Sequence, residues 1–362
     1  MIRVLHYLGS DGMGGISKLV YDLISFQKKN PEIDVNLVLG HSQGTFLEDF
    51  KSLGINVYIL DFNSGFDLSL SKISKFRKLA NLVDIIHFHT YDYRLCPPLI
   101  RFNAKSILTE HGLFGLGRKR KLRDYIKNLF KTNFLNKYCD YIIFNSFWTK
   151  TKAFKVFKLN RNVNSDVVYN GNNIKKGLKV QYLSKNNNNF CVGFVGRLAG
   201  VKRIDRLIDA FSTIELNNEK FKLQIVGEGP LRKELENQAK KISKAKVEFI
   251  GATKEVEDYY SRFDVVVFPS EGESFGLVAI EALSFGIPVI VMADGGGFAE
   301  ILFDLEPHDI IASVYEMAQR IIYYYDHPEE IKLKKDKRIE YAAKFSPEKM
   351  EKEYYQIYLK LV

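Results

Sequence analysis

One pattern constrains this chain more than any other, and it runs through the sequence twice. Short apolar stretches rich in β-branched residues alternate with longer stretches whose apolar residues recur at helical spacing. In the first half the short runs fall at 3–8, 35–39, 57–60, 85–89, 107–109, 141–144 and 167–169. In the second half they fall at 191–195, 223–226, 247–250, 265–268 and 289–292. Helical patterns lie between them, as at 16–28, where Leu19, Val20, Leu23 and Ile24 share a face, and at 203–212 and 231–242. A strand that is apolar on both faces must be covered on both, and parallel strands need a crossover long enough to hold a helix. The alternation therefore predicts βαβ units around parallel sheets, an α/β fold.

Length divides the pattern in two. A chain of 362 residues exceeds one ordinary core, and two domains are expected. Residues 175–189 end in four asparagines and hold little apolar content, which predicts a linker. The expected parts are a Rossmann-like domain at 1–174, that linker, a second Rossmann-like domain at 190–345, and a Tyr-rich helical tail at 346–362. Composition is that of a soluble globular protein, 46% apolar and 27% charged. No run approaches the ~20 apolar residues of a membrane span. The opening MIRVLHYLGSDG lacks a small-residue cleavage site and reads as a first strand. Cys96, Cys139 and Cys191 are odd in number and far apart, so neither a disulfide framework nor a metal site is expected, and a reducing cytoplasm fits.

The stretch Asp264 to Gly286 carries the strongest chemical signal. Val265 to Phe268 predicts a buried strand, Gly272 and Gly276 loosen the loop after it, and a helical pattern runs from Leu277 until Gly286 and Pro288 stop it. Glu273 lies in the loop, and Glu281 follows eight residues later, about two turns in. A helix N-terminus attracts anions, and in open α/β sheets ligands collect at the carboxyl ends of strands. A diphosphate is therefore expected near Phe275, Gly276, Leu277 and Val278, with Glu273 and Glu281 accepting from hydroxyls on either side.

Other candidates sit at predicted strand ends. Gly14 and Gly15 precede a helix, a second anion site, although the third position of the dinucleotide fingerprint is Ser17. His87 and His89 share a strand face, which suits one of them to buried scaffold, and His111 opens a Gly-containing loop suited to sugar contact. Gly196 ends the strand at 191–195, and Arg197 and Lys202 follow it. Arg grips phosphate in two places and Lys acts as a mobile point charge, so both suit a diphosphate.

Taken in order, these motifs resemble the retaining glycosyltransferases of family 4, which have the GT-B fold: two Rossmann-like domains facing across a cleft. The resemblance covers nearly the whole chain. Its most specific part is Glu273 and Glu281 with seven residues between them. Gly14–Gly15, Glu110–His111–Gly112, Asn170–Gly171, Gly196–Arg197 with Lys202, the run Val226 to Leu231, and Gly295–Gly296 with Glu300 support it. The chain departs from the family at Asn173, where Asp is usual, and in ILFDLEPHD after Glu300.

The resemblance implies a transferase that moves a hexosyl or N-acetylhexosaminyl unit from a nucleoside-diphosphate sugar, UDP by default, to a glycan or lipid-linked hydroxyl, with retention of configuration. Glu281 would hold the ribose, Glu273 the donor sugar, and Arg197 and Lys202 the diphosphate, assisted by Gly196 and the amides of Phe275 to Val278. The loop after Ile250 would touch the base. The first domain would bind the acceptor, with Gly15 near phosphate and His111 near the donor sugar. The tail helix would cross back to the first domain. No metal or cofactor is expected, and no D-x-D motif is present. A sugar-nucleotide epimerase of the same shape remains an alternative.

Charge adds a partner. Between 112 and 160 twelve Lys or Arg stand against two Asp, a local excess that equals the net charge of +10 for the whole chain. Within it, Leu122, Ile126, Leu129, Phe130, Phe134 and Tyr138 follow helical spacing. Two readings stay open: a segment at 118–138 that lies on an anionic membrane surface, or a core-packed helix with a solvated basic face. The first would make the protein peripheral on the inner face of the plasma membrane, in surface polysaccharide synthesis. Because the excess is local and no nucleic-acid motif accompanies it, a nucleic-acid partner is not expected.

Overall fold

The first apolar run becomes the axis of a parallel sheet. In the computed structural model, β1 (Ile2–Ser10) pairs with β2 (Ile33–His41) on one side and β4 (Ile85–Phe88) on the other. The structure describes residues 1–12, 15–42, 44–63, 67–96, 101–112, 122–173, 190–215, 220–241, 246–253 and 255–362. The linker expected at 175–189 and Gly14 lie outside them. β3 (Asn56–Ile59), β5 (Lys105–Glu110), β6 (Tyr141–Phe144) and β7 (Ser165–Val167) complete a sheet ordered β3-β2-β1-β4-β5-β6-β7. Every pairing is parallel.

The second series repeats the arrangement. β8 (Phe190–Val195), β9 (Phe221–Val226), β10 (Lys246–Gly251), β11 (Val265–Phe268), β12 (Val289–Met292) and β13 (Ile310–Ile311) form a parallel sheet ordered β10-β9-β8-β11-β12-β13. β13 has only two residues, too few for a periodic signal to reveal it. The strand expected at 167–169 sits two residues earlier, because its edge pairing with β6 begins at Ser165. Each sheet forms its own unit. The first holds Met1–Asn173 with Ser346–Val362, and the second holds the described residues from Phe190 to Phe345. Both are the α/β Rossmann-like architecture that the alternation predicts.

Burial explains the order. In the first unit the predicted helix face of Leu19, Val20, Leu23 and Ile24 packs on Val4, Val35 and Leu37 of the sheet. Met350, Tyr354, Ile357 and Tyr358 of the helix Pro347–Leu361 join that cluster, so the chain's last helix completes the first unit's core. In the second unit Arg338 is fully buried and pairs with Glu306 at 2.7 Å. Its guanidinium also donates to the carbonyls of Ile331 (2.9 Å) and Gly286 (3.3 Å). Gly286 closes the turn after the helix Leu277–Ser284, so this buried cation anchors that helix from behind.

Candidate functional site

The strand order of the second sheet reverses at β8, which has β9 on one side and β11 on the other. In open sheets the ligand crevice lies outside the carboxyl ends of the strands at such a point. Here those ends lead into Gly196–Arg197, the turn Gly200–Lys202, and the loop from Pro269 to Gly276. The loop is clamped on two sides. Glu271 donates its amide to the Val201 carbonyl (2.8 Å), Gly272 to Asp294 (2.9 Å), and Glu273 to Gly295 (3.1 Å), while Gly297 donates back to Glu273 (2.7 Å). Arg203–Glu271 (3.1 Å) and Arg206–Asp294 (3.0 Å) tie the same segments by charge. The backbone of Glu273 is thus fixed between the loops after β8 and β12.

Its side chain meets the first of the predicted cations. Lys202 Nζ lies 2.5 Å from Glu273 Oε2, with both side chains mostly shielded from water. The sequence suggests separate roles for these two groups, but the structure joins them in one ion pair. Lys202 Nζ also stands 5.7 Å from the centre of the Phe298 ring. Arg197 differs. It is exposed and makes no ion pair among the described residues. Of the two predicted cations, one is therefore neutralised and one, just past the end of β8, is uncompensated among the described residues.

Close backbone contacts hold this geometry. Gly227 has φ +138°, and a Cβ there would fall 1.9 Å from the Gly196 carbonyl oxygen. No other residue type fits, so the turn after β9 presses directly on the end of β8 and supports Arg197. Gly276 has φ +107°, and a Cβ would reach 2.3 Å from the Phe298 ring. It caps the helix Leu277–Ser284 with no side-chain hydrogen bond. The first amides of that helix, at Leu277 and Val278, therefore keep free donors beside the loop. Phe275 is buried with its ring 6.0 Å from that of Phe345, so any ligand role it has runs through its backbone.

Glu281 is the fifth residue of this helix, about one turn in rather than two, because the helix starts only after Gly276. The buried Tyr260 hydroxyl lies 3.0 Å from Glu281 Oε2 and 3.2 Å from the Val278 carbonyl. Burial first, then the charge of Glu281, pushes this phenol far above its ordinary range, so it remains a donor. Sequence reasoning missed Tyr260. It is one of 20 tyrosines and carries no motif of its own. Glu300 sits in the first turn of the helix Gly297–Phe303.

In the first unit, Gly15 opens the helix Gly15–Gln27 with nothing within 4 Å of where a Cβ would stand. Asn170 is buried, and a Cβ at Gly171 would lie 2.5 Å from Pro347 Cα. Asn173, where the family usually has Asp, donates to Asp22 at 3.3 Å. His111 lies one residue past β5 and is buried. Sequence alternation assigns one of His87 and His89 to the interior, but both are inside, together with His6. His6 and His89 approach to 2.9 Å, His89 and His111 to 3.1 Å. His87 contacts Tyr358 and Thr109, each at 2.7 Å. The rings of His6, His87 and His89 are close enough to suggest a metal cluster. Hydrogen bonds nevertheless occupy both nitrogens of all three. Burial holds His6 and His111 down to about 4, and drives His87 and His89 well below their usual range.

Residues 13–176 match the family described as Glycosyltransferase Family 4, and residues 177–345 match Glycosyl transferases group 1. The chain belongs to the glycosyltransferases. Relatives within the family include an uncharacterized glycosyltransferase of Methanocaldococcus jannaschii, 33% identical over 61% of this chain and 59% of its own. An uncharacterized 41.2 kDa protein of the Klebsiella pneumoniae cps region is 26% identical over 99% of both chains. The chain spans between half and two thirds of the length of the first curated glycosyltransferases it matches. Among solved structures, Anabaena HepE in complex with UDP and glucose superposes with a TM-score of 0.79 at 18% identity over 99% of both chains, which establishes the shared GT-B fold.

The histidine cluster has a measurable consequence. Unfolded histidine titrates near 6.5, whereas these four stay neutral in the folded chain. Their folded values are depressed, so this stability is complete above about pH 6.5 and is lost as pH falls toward about 4. The loss reaches up to about 1.4 kcal/mol per pH unit for each histidine. Urea unfolding followed at pH 7, 6 and 5, before most carboxylates titrate, should show a steadily falling midpoint. A constant midpoint over that interval would contradict the neutral cluster.

Proposed function

We propose that this chain transfers a hexosyl or N-acetylhexosaminyl unit from a nucleoside-diphosphate sugar to an acceptor hydroxyl, with retention of configuration. The observation that carries the reading is the Lys202–Glu273 pair beside the uncompensated Arg197, at the carboxyl ends of β8 and β11 and ahead of an uncapped helix N-terminus. As the glycosidic bond breaks, charge accumulates on the leaving diphosphate. Donors preorganised around that charge are the largest device such a site has. Arg197 grips the phosphates, the Leu277 and Val278 amides point at them, and Lys202 shares its charge between phosphate and Glu273. Glu273 accepts from a sugar hydroxyl. Glu281, oriented by Tyr260, accepts from the ribose. Gly196, Phe275 and Gly276 shape the pocket through backbone. In the first unit His111 contacts a sugar hydroxyl, and Gly15 lets a phosphate approach the helix end. The reading assigns no metal and no protein base, since the departing phosphate takes the acceptor proton.

UDP is the nucleotide of choice on family frequency, and HepE, solved with UDP, is in keeping with it. The acceptor is a glycan or a lipid-linked glycan. The K. pneumoniae relative in a cps region supports a surface polysaccharide. So does the helix Leu122–Lys137. Its C-terminal half buries Phe134 and Leu135, while Tyr125, Ile126, Leu129 and Phe130 remain exposed. Phe134 and Leu135 fit the core-packed reading of the spacing, and the four exposed residues support the membrane-surface one. The exposed half, within the basic segment, suits an anionic membrane surface and a lipid-linked acceptor. Residues 113–121 lie outside the described residues. No helix among the described residues is long and apolar enough to cross a membrane.

Three measurements test this. In a thermal-shift panel of UDP, GDP and ADP, UDP should raise the melting temperature most, and no shift with any of them would remove the donor site. Arg197→Ala should lower kcat by roughly 10²-fold or more with the fold intact, because one preorganised donor to the developing charge is worth about 3 kcal/mol. A purified variant at wild-type rate would exclude Arg197 from the mechanism. In sedimentation with vesicles, the protein should pellet with anionic but not with zwitterionic lipid, and release with salt. Recovery of all protein in the supernatant at low salt would rule out the membrane surface.

A further inference from the structure

Four buried side chains of the first unit stand in single file: Gln27, His6, His89 and His111. Gln27 Oε1 lies 2.8 Å from His6 Nε2, His6 Nδ1 2.9 Å from His89 Nε2, and His89 Nδ1 3.1 Å from His111 Nε2. A neutral imidazole carries one proton on one of its two nitrogens. Each contact in the file needs one proton, neither two nor none. The choice at one end therefore dictates all the others.

Gln27 makes that choice. Its Nε2 donates to the Tyr358 hydroxyl at 3.1 Å, which turns its carbonyl toward His6. His6 then donates from Nε2 and accepts at Nδ1. His89 does the same, and His111 donates from Nε2. The Nδ1 of His111 is left as a lone pair, buried and with no hydrogen-bond partner. The other branch agrees. Tyr358, which accepts from Gln27, donates to His87 Nδ1, and His87 donates from Nε2 to Thr109. A half-turn of the Gln27 amide would reverse both branches and place a proton on His111 Nδ1 instead. The network has two complete settings, and Gln27 sits where they meet.

Asn145 supplies an independent sign. Its Nδ2 donates to the His111 carbonyl at 3.0 Å, which fixes the orientation of its amide. Its Oδ1 is then a second buried acceptor with no partner. Two unfilled acceptors thus stand at neighbouring strand ends, after β5 and β6.

We propose that Gln27 is a positioning residue: through His6 and His89 it sets His111 to present a lone pair at Nδ1, so that His111 and Asn145 take a ligand's hydroxyl donors and not an anion, which brings no proton to share. The ligand half of this proposal rests on His111 as a sugar contact. The tautomer half does not.

Nitrogen-15 labelling of histidine and long-range proton–nitrogen correlation spectra, recorded with no sugar present, report which ring nitrogen carries the proton. The expected result is a proton on Nε2 of His6, His89 and His111. A proton on Nδ1 of His111 overturns the proposal. In Gln27→Met, the His111 signals should move toward a mixture of the two forms while circular dichroism stays unchanged. An unaltered His111 in folded Q27M removes Gln27 from the role, and if that variant does not fold, the wild-type spectrum decides alone. For the ligand half, UDP-sugars with single hydroxyls replaced by fluorine keep an acceptor and lose a donor. One position should bind about tenfold more weakly than the parent. Equal binding of every analogue overturns the hydroxyl assignment, whereas failure of the parent to bind counts against the transferase reading instead.

Discussion

Every strand pairing in both sheets is parallel, and the rest of the molecule depends on that constraint. Parallel strands point their carboxyl ends the same way, so all the loops that follow them gather along one edge. Residues far apart in sequence are thereby made neighbours. Lys202 and Glu273 are 71 positions apart yet form one ion pair, and Glu271 reaches back to Val201. In the first unit the same geometry collects His6, His87, His89 and His111 from three adjacent strands and their ends. Helices on both faces then cover the apolar strands, and the last helix of the chain supplies part of that cover for the first sheet.

Much of this was legible in the sequence because it follows from periodicity. Val265 to Phe268 could be read as a strand, and Leu277 onward as a helix, because apolar spacing changes from continuous to helical between them. What could not be read follows from three-dimensional contact. Tyr260 meets Glu281 across a helix pair, and no spacing within the chain announces it. The Lys202–Glu273 pair was suggested only as two separate ligands. Gly227 carried a family match but no reason. The structure supplies one, since only a glycine lets its turn lie against Gly196. β13 was missed because two residues carry no period.

The histidines mark the limit of single-residue reasoning. Alternation on β4 correctly placed His87 and His89 on one face, but it said nothing of what that face meets. The face meets the C-terminal helix, through Tyr354 and Tyr358, and His6, which in turn reaches Gln27 of the first helix. A buried polar network of this kind is tolerable only when its members are satisfied. The two atoms that are not, on His111 and Asn145, therefore stand out against an otherwise closed set.

If Lys202 and Glu273 hold the donor as proposed, their pairing also bears on which guests the site accepts. Free phosphate that claimed the ammonium would strand a half-buried carboxylate without its counter-charge. A polyol alone could engage Glu273 but would leave the guanidinium at position 197 unanswered. A molecule that brings anion and hydroxyls on one scaffold would replace everything it displaces. On the proposed assignment, the pair would favour a guest that carries both chemistries over either one alone.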